Sequence, residues 1–133
     1  MPKTAKIVSW ICCIIVSIVY LQTLFFKFTG AEESVHIFEK VAGPDMEAFA
    51  RIGSGFGELI AAVLILVPKT RIYGAILSML VISGAIFSHL TILGIVVLDD
   101  GGTLFILACI VFVLSLVVIY LHRSEIPFVG KTS

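Results

Sequence analysis

Charge is what this chain has least of. Only 14% of its 133 residues are charged, while 59% are hydrophobic and the mean hydropathy is +1.16. A soluble domain carries about a quarter of its residues as Asp, Glu, Lys and Arg. No water-soluble core of this length could hide so much apolar surface, so lipid must be the solvent for most of it. The formal net charge is zero and there is no basic block, which removes the electrostatic footprint of nucleic-acid binding. Paired cysteines are missing too. Cys12, Cys13 and Cys109 form no C-x-x-C, and they read as small apolar residues rather than a dithiol or metal site. There is no H-E-x-x-H, nucleophile elbow, phosphate-binding glycine loop or dinucleotide glycine run, which speaks against a hydrolase or nucleotide enzyme. The apolar segments hold a single histidine, His89, so one copy cannot supply two axial histidines to a haem.

What is present is four membrane-length apolar segments, at about 7–29, 46–67, 72–98 and 103–121, in a single domain spanning 1–133. The first follows Lys3 and Lys6 like a signal peptide. Its charge-free run from Ile7 to Phe26 is too long for a signal core, and no small-residue cleavage site follows, so it reads as an uncleaved span. Between the first two segments, Val35, Phe38 and Val41 recur at helical spacing among acidic residues. This predicts a short amphipathic helix at the interface, ended by Gly43-Pro44, with Asp45 as N-cap of the next helix. Pro68 closes the second span, Lys69-Thr70-Arg71 forms a basic turn, Asp99-Asp100-Gly101-Gly102 forms another turn, and Pro127 stands against further helix in the tail. The fold class expected is therefore all-α: a polytopic membrane protein, a four-transmembrane-helix bundle. Lys3, Lys6, Lys69, Arg71, Arg123 and Lys131 fall on one side and Lys27, Lys40 and Arg51 on the other, which predicts both termini in the cytoplasm.

The segment Arg51–Val67 holds one carboxylate, Glu58, at membrane depth. An ionisable group there is costly and calls for a partner or a job. Glu58 lies eight residues from the outer end of its span, ~12 Å down, and His89 lies nine residues from the outer end of the next, ~13 Å down. Lys27 enters from the same side. Tyr20, Thr23 and Lys27 share one face of the first span, and Arg51 shares a face with Glu58. The candidate polar site is thus Lys27, Glu58 and His89, with Arg51, Tyr20 and Thr23 as contributors. The competing reading is a hydrogen-bonded clamp that sets helix register. For Tyr20, Thr23, Ser78, Ser88 and Cys109, packing or bonding back to their own helix is expected. For Arg51, anchoring to headgroups competes with an ion pair to Glu58. Gly53, Gly57 and Ala61, four apart, predict a small-residue face for close helix approach.

These residues resemble the DoxX family of small four-helix membrane proteins. The likeness rests on FFKFTG at the end of the first span, RIGSGFGELIAAVLILVP in the second, GAIFSHLTILGI in the third and the closing YLHR. It covers nearly the whole chain, and its most specific element is the order Lys, Glu, His on three successive spans. The resemblance implies a bacterial inner membrane and a subunit or accessory factor of a membrane-associated, quinone-linked redox system. A quinone is then the ligand to consider, with no other cofactor and no metal evident. Some members belong to a thiosulfate:quinone oxidoreductase, but nothing in this chain recognises thiosulfate. A relative that matures a disulfide-rich periplasmic protein also offers no role here, since a cysteine pair for disulfide exchange is lacking. Alternatives are a non-catalytic scaffold or assembly partner and a small transporter, which at four spans would need to oligomerise. Expected partners are the bilayer, membrane or envelope proteins, and further copies of the chain, but not nucleic acid.

Overall fold

A computed structural model describes residues 2–95 and 101–125. Five α-helices follow in order: α1 (Lys3–Thr29), α2 (Glu32–Ala42), α3 (Glu47–Leu66), α4 (Arg71–Ser88) and α5 (Thr103–Leu121). A π-helical turn, His89–Leu93, continues α4. α1, α3, α5 and the continuous rod Arg71–Leu93 are long and apolar enough to cross a membrane. This is the expected all-α, four-helix membrane bundle. α1 packs on α3 and α5, and α4 packs on the same two, so the spans close into a ring. α2 lies across one end, against α3, the π-helical turn and α1.

The bundle is apolar outside as well as inside. Phe49 is 75% exposed, Leu80 69% and Phe87 66%, a surface suited to lipid rather than water. The interior holds Val16, Ile65, Ala75, Val111 and Val118, but also a line of hydroxyls. The Tyr20 hydroxyl bonds Ser78 Oγ at 2.7 Å, and Ser78 Oγ bonds Ser115 Oγ at 2.8 Å, tying α1, α4 and α5 together. Buried hydroxyls are tolerated in lipid only when they find such partners. Sequence reading assigned Tyr20 and Ser78 to packing or local back-bonding. They instead join different helices.

Helix ends explain the turns. α1 stops at Gly30, whose φ of 70° is the left-handed conformation that glycine adopts without a Cβ penalty. Gly30 N–H and Ala31 N–H both return to the Phe26 carbonyl, so the carbonyl of Lys27 needs another donor. α3 stops before Pro68, and the basic turn behind it closes the helix. Thr70 Oγ1 donates to Leu64 O at 2.9 Å, Arg71 Nε to Ile65 O at 2.8 Å and Arg71 Nη2 to Leu66 O at 3.2 Å. Three successive carbonyls left without amide partners are satisfied by two side chains.

Three boundaries differ from expectation. α1 begins at Lys3, a turn earlier than the apolar run, because lysines whose ammonium groups stay in water cost a helix end nothing. Asp45 does not cap α3: it lies in a turn, and Met46 is the N-cap residue, without a side-chain capping bond. The third span ends at Leu93 rather than Leu98, since Gly94 turns the chain at φ 79°. Leu98, Asp99, Asp100, Pro127 and Lys131 lie outside the described residues.

Candidate functional site

The candidate site begins with the end of α1. Lys27 sits in the last turn, where a lysine usually reaches out to the headgroups. Here the side chain turns inward: its Nζ forms an ion pair with Glu58 Oε1 and donates to Ser54 Oγ at 3.0 Å. Ser54 stands one turn before Glu58 on the same face of α3, so the two meet one ammonium together. The second carboxylate oxygen, Oε2, accepts from Thr23 Oγ1 at 2.7 Å. Thr23 and Lys27 are four apart on α1, which is why a single face of one helix can serve both carboxylate oxygens. The side chains of Lys27 and Glu58 are 13% and 7% exposed. A pair this enclosed stands only if its remaining hydrogen-bonding capacity is also met, and Thr23 and Ser54 meet it.

His89 opens the π-helical turn and is buried. Its Nδ1 donates to the Gly94 carbonyl at 3.0 Å, so a neutral ring would present Nε2 as an acceptor. The ring meets Phe105 of α5 edge to face, centroids 5.6 Å apart. The turn is widened where Ser88 Oγ bonds Gly84 O and Thr91 Oγ1 bonds Phe87 O. Hydroxyls that bond back to the preceding turn loosen a helix locally. Single π turns recur at functional positions because they re-aim one side chain.

These groups share a cavity of about 520 Å³. Tyr20, Thr23 and Lys27 of α1, Glu58 of α3 and His89 all line it. Lys27, Glu58 and His89, the three residues singled out in the sequence, all line this cavity. Glu58 and His89 do not pair: the carboxylate is spoken for by Lys27 and Thr23, and Nδ1 by Gly94. α2 supplies the roof with Ser34, Ile37, Phe38 and Val41, and the Phe38 ring lies 5.5 Å from Lys27 Nζ. Most of the wall is apolar, with its polar groups gathered at the ion pair and at His89. That is the usual make-up of a small-molecule site.

Two expectations need correction. Arg51 does not pair with Glu58. Its Nε donates to Glu47 at 2.7 Å, one turn back on α3, and its Nη1 donates to the Lys27 carbonyl. The physical reason is reach: Glu47 is one turn away and Glu58 is two, and the end of α1 offers an unsatisfied carbonyl. Nor do Gly53, Gly57 and Ala61 form one packing face. Ala61 is in the core, but Gly53 and Gly57 border the cavity. A Cβ on Gly53 would meet nothing within 4 Å, and one on Gly57 only Val81 Cγ2 at 3.9 Å. Close approach belongs to Gly74, where a Cβ would lie 2.8 Å from Ile65 Cα, and to Gly55, where it would meet the Phe28 ring at 2.6 Å.

Sequence reasoning also missed Ser54, Ser34 and Phe38. Ser54 carried a signal, its i, i+4 spacing to Glu58. Ser34 carried none. Among the described residues, no three His, Cys, Asp or Glu side chains gather into a metal-holding group. Cys109 lies elsewhere, in a shallow depression on the outer face of α5 with Phe105, Ile106 and Val113. No protein-family model, curated protein or solved structure matches the chain.

Proposed function

We propose that this is a DoxX-like membrane protein that holds an isoprenoid quinone for a membrane-associated redox system, acting as a subunit or accessory factor. One observation carries the reading. A largely apolar cavity of about 520 Å³ has both an ammonium–carboxylate pair and an imidazole in its lining. A lipophilic ring with two oxygen atoms needs that combination: apolar walls for the ring and tail, and hydrogen-bonding groups for the oxygens. His89 would accept, through Nε2, from one hydroxyl of the quinol form. Lys27 would donate to the other, or balance its negative charge. Giving two electrons to a partner redox subunit releases two protons from a bound quinol, of which Nε2 of His89 would take one and Glu58 the other. Thr23 and Ser54 hold the carboxylate and the ammonium in place, as supporting groups do in a preorganised site. Protein purified in mild detergent should carry a quinone extractable by organic solvent. Glu58→Gln and His89→Ala should each lower its occupancy about tenfold, the effect of losing roughly 1.4 kcal/mol of binding. Wild-type occupancy in both variants, or no quinone in the native protein, sinks the reading.

A further inference from the structure

The opposite end of the bundle, where α1 begins and α5 ends, has a second feature that the cavity does not use. Arg71 is only 3% exposed, yet no carboxylate among the described residues forms an ion pair with it. Both ion pairs among the described residues, Lys27 with Glu58 and Arg51 with Glu47, lie at the α2 end. The Arg71 guanidinium spends Nε and Nη2 on the last carbonyls of α3 and lays its face on the Trp10 ring, 4.0 Å from the centroid. Among the described residues no buried side-chain nitrogen or oxygen lacks a partner, and Nη1 takes no bond there, so it keeps some exposure. Lys6 stands one turn before Trp10 on the same face of α1, and Lys69 stands two residues before Arg71. Both lysines are exposed. Arg71 thus covers one indole that is itself 42% exposed, with Lys6 one helical turn from that indole and Lys69 two residues from Arg71 along the chain.

Each part fits the boundary of a bilayer. Trp favours the headgroup level. A guanidinium held rigid by three contacts presents a fixed donor to a phosphate, which lysines alone do not. Among the described residues its charge has no paired carboxylate, so an anion would complete the set. We propose that Lys6, Trp10, Lys69 and Arg71 form a binding site for the headgroup of an anionic phospholipid in the leaflet at the terminal end of the bundle. The phosphate would take Nη1 of Arg71 and the two ammonium groups, while the acyl chains lie along exposed Ile7, Ile11 and Ile14 of α1. The site is separate from the cavity, so this proposal stands or falls independently of the quinone.

Native mass spectrometry of the detergent-solubilised protein with added phosphatidylglycerol, phosphatidylcholine or inorganic phosphate tests it. Phosphatidylglycerol should be retained over phosphatidylcholine by at least tenfold. Lys6→Gln and Lys69→Gln should each weaken it about fivefold, the effect of one cation near an anionic lipid. Arg71→Ala also uncaps α3 and risks unfolding, so the lysine variants decide. Lys3→Gln and Arg123→Gln, at the same end but outside the cluster, should leave binding unchanged. Equal loss in these controls would reduce the effect to general charge attraction and overturn the site. So would equal retention of the two lipids, or displacement of the lipid by millimolar inorganic phosphate.

Discussion

Glu58 shows what a carboxylate requires to live at membrane depth. Each of its oxygens has one donor, and both donors come from α1. Removing either charge of the pair leaves the other enclosed and uncompensated. We expect Lys27→Met and Glu58→Gln each to cost about 3 kcal/mol of stability, the scale seen when half of a buried pair is lost. The double variant should cost less than either single change, because no unpaired charge remains. Equilibrium unfolding in mixed micelles checks this, and additive losses would mean the two groups are not coupled. The candidate site was legible at this scale where cost forced it. Lys27, Glu58 and His89 stood out because each is rare at such depth. Arg51 misled, since its seven-residue spacing from Glu58 could not reveal a nearer glutamate or an open carbonyl on α1. Arg71 read as a turn residue for the same reason: sequence shows its charge but not the carbonyls it caps.

At the scale of the element, glycine divides into two uses. Gly74 lets α4 cross α3 closely, with Ile65 Cα and Leu64 C both 2.8 Å from where its Cβ would stand. Backbone cannot give way there as a flexible side chain could. Gly74→Ala should destabilise the bundle by about 2 kcal/mol through overpacking. Gly53→Ala should be neutral or stabilising by up to ~1 kcal/mol, since its Cβ meets open space and alanine is the better helix former. Thermal unfolding of the two variants side by side distinguishes them, and a Gly53→Ala loss as large as that of Gly74→Ala would refute the division. The four spans themselves were readable from length and hydropathy alone, because lipid imposes one solution on long apolar runs. α2 was readable as an amphipathic helix, but not its position over the cavity. Nor could the π-helical turn be foreseen. It depends on Ser88 and Thr91 bonding back while Gly94 stops the helix, a balance of small energies rather than a pattern.

For the whole molecule, neutrality conceals a strong division of charge. Lys3, Lys6, Lys69, Arg71 and Arg123 gather at the terminal end with Glu125. Glu32, Glu39, Asp45 and Glu47 crowd the α2 end, where Lys27 and Arg51 are turned to internal partners and Lys40 alone of the three cations is exposed. In short loops such an excess of Lys and Arg marks the cytoplasmic side. We therefore expect the cavity roof, α2, to face away from the cytoplasm, so that the cavity opens to the outer half of the membrane. Single cysteines placed at exposed Thr4 and Glu39, in a background with Cys12, Cys13 and Cys109 replaced by Ala, would report this. Glu39→Cys should react with an impermeant maleimide in intact spheroplasts, and Thr4→Cys only after permeabilisation. The reverse pattern would put α2 and the cavity in the cytoplasmic half. The tryptophan–arginine cluster would then meet the outer leaflet, while its affinity for an anionic headgroup would be unaltered, because that affinity depends on Arg71 and its lysines rather than on the side they face.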